Sequence, residues 1–119
     1  MGTTPAAHRY NLEDRTLRFA KDVIAFVRSL PNTIPNIEIS KQFTRAAGSV
    51  GANYIEANKS LGKKDFLMKV RISRREAKES RYWLQLASSD EGATSTKDKL
   101  IQESTELMKI FGAILRSSQ

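Results

Sequence analysis

The stretch QFTRAAGSVGANYIEA, residues 42–57, decides the fold of this 119-residue chain. Starting from the residue three places before it, the seam positions follow at steps of four, three, four, three and four: Ile39, Phe43, Ala46, Val50, Asn53 and Ala57. Such steps form a heptad-like seam along one face of an α-helix, and Ala47, Tyr54 and Leu61 widen that seam. The stretch therefore predicts an amphipathic helix that packs against other helices.

The centre of this helix, residues 46–52 (AAGSVGA), is poor in bulky side chains. Each glycine costs a helix in water about 1 kcal/mol relative to alanine, so Gly48 and Gly51 need a compensating gain. We interpret them as points of close approach to a neighbouring helix, where small side chains allow more dispersion contacts. A flexible hinge is the alternative.

Three other segments of the chain also have helical periodicity. The first helix begins at Leu12, where Asp14 is placed to cap it, and ends before Pro31. Its apolar positions are Leu17, Ala20, Val23, Ile24, Val27 and Leu30. The third helix has the clearest seam, made of Phe66, Val70, Ser73, Ala77, Ser80, Leu84 and Ala87. The seam of the fourth helix is Leu100, Ser104, Leu107, Phe111 and Ile114.

Short connections with helix-breaking residues separate the four segments. Residues 31–36 contain two prolines, residues 60–64 contain Gly62, and residues 88–95 contain Gly92. Connections of this length favour antiparallel neighbours, and no segment alternates as a β-strand does. We predict an all-α, antiparallel, up-down-up-down four-helix bundle, with residues 1–11 as a flexible leader and residues 12–117 as a single domain.

The composition narrows the functional classes. The chain has no cysteine, which excludes disulfides and thiolate metal sites and fits a reducing cytoplasm. No apolar run approaches the roughly 18 to 20 residues of a membrane span. Twenty basic and thirteen acidic side chains give a net charge of +7, which favours a polyanionic partner such as RNA, DNA or an acidic protein. We expect a soluble, cytoplasmic protein with no membrane partner.

Candidate catalytic and metal-ligating residues are few. His8 is the only histidine and lies in the leader, so one chain cannot assemble a His-based triad or a His-rich metal site. The candidates for acid–base chemistry are Glu56, Glu76 and Glu79. We favour structural pairing of these carboxylates with Arg45, Asn53 or Arg74 over a hydrolytic role for Glu56 and Glu76. We therefore expect no enzyme activity, no metal and no cofactor.

The third helix carries a stripe of positive charge. Between Lys63 and Leu86, eight basic side chains stand against three acidic ones, a net charge of +5. At 100° per residue most of the basic side chains lie on one side, with Tyr82 at the edge, where it can stack on an unpaired base. A solvated face that keeps the protein soluble is the alternative. The predicted nucleic-acid-binding residues are Lys64, Arg71, Arg74, Arg75, Lys78 and Arg81.

A second apolar stripe runs along the same helix beside the core seam. It contains Ile72, Trp83 and Leu86, and Trp83 is the only tryptophan of the chain. One bundle core needs one seam, so the second stripe indicates either a wide core or a subunit interface, where Trp is enriched. We favour the interface, and with it a homo-oligomer.

Two parts of the sequence together resemble a known family. They are Gln42-x-x-Arg45-Ala46-x-x-Ser49 followed by Asn53-x-x-Glu56, and Lys64-Asp65-Phe66 with residues 74–80, RREAKES. The chain resembles, from about Leu17 to Leu115, the four-helix-bundle proteins named for intervening sequences in bacterial large-subunit (23S) ribosomal RNA. Tyr54 and Ala57 depart from that family's pattern, in which Ile and Gly are common.

The resemblance implies an antiparallel bundle that assembles into a ring-like homopentamer and has no known active site. Some relatives are accessory proteins of diversity-generating retroelements, with a basic surface that binds nucleic acid and a reverse transcriptase. Two hypotheses follow. One is a non-enzymatic accessory protein whose basic stripe contacts phosphates without reading sequence, and the other is a structural or adaptor oligomer with a protein partner.

Overall fold

The computed structural model describes residues 5–118, with side chains from Leu12 onward. Four α-helices fill this range: α1 (Pro5–Ser29), α2 (Ile34–Asn58), α3 (Lys63–Leu86) and α4 (Thr94–Ser117). One turn of 3-10 helix, Glu91–Ala93, precedes α4, and none of the described residues lies in a β-strand. Residues 5–11 of the expected leader belong to α1, residues 1–4 lie outside the described range, and the flexibility of the leader stays a prediction.

The helix ends differ from the sequence-based boundaries in three places. α2 begins inside the predicted loop, because Thr33 Oγ1 accepts a hydrogen bond from the Asn36 N–H at 3.3 Å and caps the helix. Pro35 then lies in the first turn, where a missing N–H leaves no hydrogen bond unmade. Asp14 does not cap α1, since α1 already begins at Pro5, and α4 begins at Thr94 within the predicted last loop.

The four helices form the predicted antiparallel bundle, in which consecutive helices pack against each other. The packing is most extensive between α2 and α3, followed by α3 with α4 and α1 with α2. α1 also touches α4, less extensively than these three pairs, and this contact closes the bundle. α3 therefore lies between α2 and α4 and leaves its remaining side open.

The core seams predicted for α2, α3 and α4 are confirmed in most positions. Phe43, Val50 and Tyr54 of α2 are buried, and Tyr54 packs against Phe111 of α4 with ring centroids 5.8 Å apart. Most of the predicted α3 seam is buried: Val70, Ser73, Ala77, Ser80, Leu84 and Ala87. Leu61, predicted to widen the α2 seam, is instead fully exposed, since it lies in the connection after α2.

The buried face of α1 differs in part from the predicted one, although Val23 is buried as predicted and Val27 and Leu30 pack against the core. Leu17 and Ile24 were expected in the core, but they remain 52% and 39% exposed. The buried positions of α1 are Leu12, Thr16, Phe19, Val23 and Phe26. Two phenylalanines bury more apolar area than the aliphatic residues of the competing face, so the helix turns them inward. Phe26 packs edge-on against Phe43 of α2, with ring centroids 6.5 Å apart.

The two glycines of α2 have different surroundings. A Cβ at Gly51 would lie 2.9 Å from Thr16 Oγ1 and 3.2 Å from Thr16 Cβ, so α1 and α2 approach each other closely there. A Cβ at Gly48 would have nothing within 4 Å. The close-approach interpretation is therefore confirmed at Gly51 and wrong at Gly48.

Candidate nucleic-acid interface

Basic side chains of α3 and α4 line a cleft of about 440 Å³ between the two helices. The part from α3 is Arg71, Arg74, Arg75 and Lys78. The part from α4 is Met108, Gly112, Leu115 and Arg116. The antiparallel packing of α3 and α4 brings these residues together, because the middle of α3 then runs beside the C-terminal half of α4. Five cationic side chains thus surround one open space.

The structure divides the six predicted nucleic-acid-binding residues into three groups. Four of them, Arg71, Arg74, Arg75 and Lys78, share the cleft. Lys64 is exposed and lies seven residues before Arg71, so it continues the basic face beyond the cleft toward the beginning of α3.

Arg81, the sixth of these residues, is half-buried and binds α4. Its Nη1 donates a hydrogen bond to Thr105 Oγ1 at 3.1 Å. This contact fixes α3 against α4 beside the cleft. Arg81 therefore has a structural role that its position in the charge stripe did not predict.

None of the ion pairs that the structure describes involves a cationic side chain of the cleft, and of these cations Arg75 lies near enough to Glu79 to help lower its pKa. The described ion pairs lie elsewhere: Arg15 with Glu103 and Glu106, Lys41 with Glu38, and Arg45 with Glu76 and Glu79. Like charges that share a small volume repel each other, and a bound anion relieves that repulsion. The cleft is thus an electrostatically favourable place for phosphate groups.

Arg116 and Gly112 are parts of the cleft that sequence reasoning missed. Gly112 is buried, and a Cβ on it would lie 3.4 Å from Arg116 Nη1 and 3.8 Å from Arg74 Cζ. Two guanidinium groups from two helices therefore rest above the same point of the α4 backbone. The sequence does show a basic residue, Arg116, one turn after Gly112. It does not show that the register of α4 against α3 brings Arg116 beside the basic residues of α3.

Two of the carboxylates considered for catalysis, Glu76 and Glu79, have structural contacts. Glu76 is buried and its Oε1 accepts from Arg45 Nη1 at 3.4 Å, while Glu79 pairs with Arg45 Nη2. Trp83 Nε1 donates a hydrogen bond to Glu79 Oε2 at 2.9 Å. This bond, followed by that from Arg45, lowers the pKa of Glu79 below its ordinary value. The preferred interpretation, structural pairing of Glu76 with an arginine, is confirmed.

Three α2 residues from the stretch that resembles the family, Arg45, Asn53 and Glu56, have different surroundings. Arg45 makes both of the ion pairs to α3. Asn53 is half-buried and its Nδ2 donates to Ser49 O, one turn earlier in α2, at 2.8 Å. Glu56 is exposed on the same helix, away from Glu76. Of these three residues, Arg45 is thus the one whose described contacts join α2 to α3.

The residues proposed for a subunit interface are partly exposed. Ile72 and Trp83 are half-buried, and Leu86 remains 47% exposed. Trp83 packs against the core, and the exposed Tyr82 ring meets it edge-on with centroids 5.2 Å apart. The second stripe therefore belongs partly to a wide core and partly to the surface, and its role as an interface stays a prediction.

No helix among the described residues is long and apolar enough to cross a bilayer. No group of three or more His, Cys, Asp or Glu side chains among them is arranged to hold a metal ion.

Comparisons with known proteins match this chain to a family model and to solved structures. The family model described as 23S rRNA-intervening sequence protein matches residues 9–113. A crystal structure of a protein with unknown function from the S23 ribosomal protein family of Bacteroides thetaiotaomicron superposes with a TM-score of 0.75. The two sequences are 29% identical, and the match covers 87% of this chain and 96% of that one. No curated protein sequence matches this chain.

Proposed function

We propose that this chain, which belongs to the family of 23S rRNA-intervening sequence proteins, is a non-enzymatic, homo-oligomeric accessory protein that binds nucleic acid. The observation that carries the proposal is the α3–α4 cleft, where five cationic side chains gather and none takes part in a described ion pair. A face that served solubility alone would gain nothing from collecting its cations in one cleft.

The proposed interaction is with phosphates and carries no base recognition. Arg71, Arg74 and Arg75 can each offer two parallel N–H groups to a phosphate, while Lys78 contributes a point charge. Such contacts fix a nucleic acid on the protein but do not read its sequence. Tyr82, exposed at the edge of the stripe, can stack on an unpaired base. The ligand class is therefore RNA or DNA with accessible phosphates.

The proposal includes partners that the cleft does not specify. The family's name refers to intervening sequences of 23S ribosomal RNA, so structured RNA is the first ligand to test. A homo-oligomer, such as the pentamer that the family resemblance implies, would present several clefts at once. A reverse transcriptase or another protein would then bind a different face of the assembly, in the cytoplasm.

The first test is fluorescence anisotropy of a labelled RNA hairpin and a matched DNA duplex, each titrated with protein at several salt concentrations. Contact with about six phosphates predicts that affinity falls roughly a thousandfold between 50 and 200 mM salt. Replacing Arg71, Arg75 and Lys78 together by Glu should abolish binding, because the cleft would then repel phosphates. Absence of binding by the unmodified protein at low salt would contradict the proposal.

The matched control is a charge reversal of equal size on another helix. Arg18, Lys21 and Arg28 are exposed on α1, away from the cleft. Replacing these three by Glu changes the net charge by the same amount as the cleft variant. Binding that falls equally in both variants would indicate a general charge effect and no role for the cleft.

The second candidate is a structural or adaptor oligomer with a protein partner and no nucleic-acid role. The observation that favours it is the group of exposed apolar side chains near the end of α3, Tyr82 and Leu86. A protein that forms oligomers but binds neither RNA nor DNA at low salt would support this candidate over the first.

A further inference from the structure

The cleft between α3 and α4 has an inner part that the rest of the basic face lacks. There the guanidinium groups of Arg74 and Arg116 come from two different helices and meet above Gly112. Atoms of both groups lie within 4 Å of the point that a Cβ on Gly112 would occupy. The two groups are therefore close enough for one phosphate to accept hydrogen bonds from both. Because Gly112 has no side chain, both guanidinium groups can pack over the α4 backbone at this point.

The number of donors indicates which phosphate fits best. Each guanidinium presents a fork of N–H groups, and two forks together need several acceptor oxygens on the same group. An internal phosphodiester has two free oxygens and one negative charge. A terminal phosphomonoester has three free oxygens and carries a charge of about −1.5 to −2 at pH 7. The monoester therefore matches two converging guanidiniums better than the diester does.

The walls and size of the cleft point to the end of a strand. Met108 and Leu115 of α4 are apolar neighbours of the cations, so a sugar or base can pack beside the phosphate. A volume of about 440 Å³ lies within the range of small-ligand pockets. The exposed Lys64 lies outside the cleft and can contact the backbone that continues from the bound end. A strand end can enter between two helices where a continuing duplex would be hindered.

We propose that Arg74 and Arg116, above Gly112, bind the terminal phosphate of a nucleic-acid strand, with Arg71, Arg75 and Lys78 completing the charge. This inference rests on the proposed function and adds a preference for a phosphorylated end. It also adds Arg116, on α4, to a site that the sequence placed on α3 alone.

The test compares single-stranded RNAs of one sequence that differ only at one end. A 3′-labelled strand carries either a 5′-phosphate or a 5′-hydroxyl, and a 5′-labelled strand carries either a 3′-phosphate or a 3′-hydroxyl. Anisotropy at fixed salt should show at least one phosphorylated end binding about tenfold more tightly than its hydroxyl counterpart, because charge-assisted hydrogen bonds are gained.

Two variants of equal charge separate the site from a general charge effect. Arg116→Gln should remove the preference for the phosphorylated end while leaving most of the affinity for the hydroxyl-ended strand. Arg28→Gln removes one exposed cation from α1 and should leave the preference unchanged. A preference that survives Arg116→Gln, or that both variants lose alike, would overturn the inference.

Competition with inorganic phosphate distinguishes a site that binds phosphate alone from one that recognises the whole strand end. If millimolar phosphate abolishes only the preference for the phosphorylated end, Arg74 and Arg116 bind phosphate itself. If it has no effect, the neighbouring nucleotide is also needed for binding. Both results agree with the inference. Equal binding of phosphorylated and hydroxyl-ended strands would overturn the inference and leave the proposed function standing. Binding of neither strand would overturn both.

Discussion

Gly48 and Gly51 lie three residues apart on α2 and show how one contact decides the effect of a glycine. We expect Gly48→Ala to raise the free energy of unfolding by about 1 kcal/mol, because alanine favours helix and the new Cβ meets nothing within 4 Å. We expect Gly51→Ala to lower it by about 1 kcal/mol, since overpacking against the buried Thr16 outweighs the same propensity gain. Urea denaturation followed by circular dichroism, at equal protein concentration, measures both.

A double substitution tests the cause of the second effect. Thr16 Oγ1 donates only to Glu13 O, one turn earlier in α1, so Thr16→Ala should cost little alone. In the Gly51→Ala background it should restore most of the lost stability, because it removes the clashing Oγ1. Strictly additive effects of the two substitutions would show that the contact with Thr16 is not the cause.

Glu79 gives the fold a dependence on acid. Its pKa is lowered, first by the Trp83 indole N–H and then by Arg45, so the folded state favours the charged form. The stability it contributes is present above the ordinary Glu pKa of about 4.3 and is lost as the pH falls toward the lowered value. The wild type should therefore be more stable than Glu79→Gln at pH 7, and the difference between their free energies of unfolding should narrow below about pH 4.3.

Urea midpoints measured between pH 3 and pH 7 check this prediction, and fluorescence of the only tryptophan reports the local change. In a Trp83→Phe background, followed by circular dichroism, Glu79→Gln should change the free energy of unfolding by less than it does in the wild type. The reason is that the principal hydrogen bond to Glu79 is gone. Parallel stability curves for the wild type and Glu79→Gln over the whole range would contradict the prediction.

At the scale of the helix, α3 contributes small polar side chains to its packing with α2. Ser73 and Ser80 are both fully buried and lie two turns apart on one face. Ser73 Oγ donates to Val50 O of α2 at 2.9 Å, whereas Ser80 Oγ donates to Glu76 O of its own helix at 2.8 Å. Only the first of these hydrogen bonds joins two helices.

We therefore expect Ser73→Ala to lower the free energy of unfolding by about 1 kcal/mol and Ser80→Ala to change it by less than about 0.5 kcal/mol. The two substitutions remove the same atom from equally buried sites, so each serves as the control for the other. Chemical denaturation under matched conditions measures the difference. Equal losses at both positions would mean that packing, rather than the bond to Val50, decides the stability.

The seam of α3 was predictable from spacing because α2 and α4 pack against it on two sides. A serine in that seam, such as Ser73, was identified by position alone, and burial follows from the strict steps of three and four.

α1 was predicted less well because its sequence offers two apolar faces. The choice between Leu17 with Ile24 and Phe19 with Phe26 depends on the volume that α2 and α4 leave, which spacing does not reveal.

The cleft shows the same limit for the candidate site. Four of its cations were predictable as a stripe because they are periodic along one helix. Arg116 belongs to another helix, and a sequence alone does not give the register between α3 and α4. Arg81 has the right spacing but binds Thr105, a contact that also depends on that register.

At the scale of the whole molecule, the described ion pairs that join helices lie across two grooves, and none of them lies in a third. Arg15 joins α1 to α4 through Glu103 and Glu106, and it holds the pKa of Glu106 below its ordinary value. Arg45 joins α2 to α3. The α3–α4 groove has cations from both helices and, within the described chain, no carboxylate that pairs with them. Five cations thus gather where two helices can enclose an anion.

The proposed oligomer is best tested at Leu86. Trp83 packs against the core and bonds Glu79, so truncating it would also disturb the fold of one chain. Leu86 is exposed near the end of α3, and Leu86→Glu should weaken a subunit interface without changing helix content. We expect the mass of the Leu86→Glu variant, measured by light scattering after size-exclusion chromatography, to fall toward that of one chain. Leu61→Glu, with the same charge change in an exposed connection, should keep the wild-type mass.

The same pair of variants links assembly to binding. If several clefts engage one nucleic acid, the assembly binds more tightly than a single chain, and Leu86→Glu should lose at least tenfold in apparent affinity although every cleft residue is intact. Leu61→Glu should retain wild-type affinity. A wild type that is monomeric at micromolar concentration would contradict the oligomer. A dissociated Leu86→Glu that binds as tightly as the wild type would instead show that one cleft is sufficient for binding.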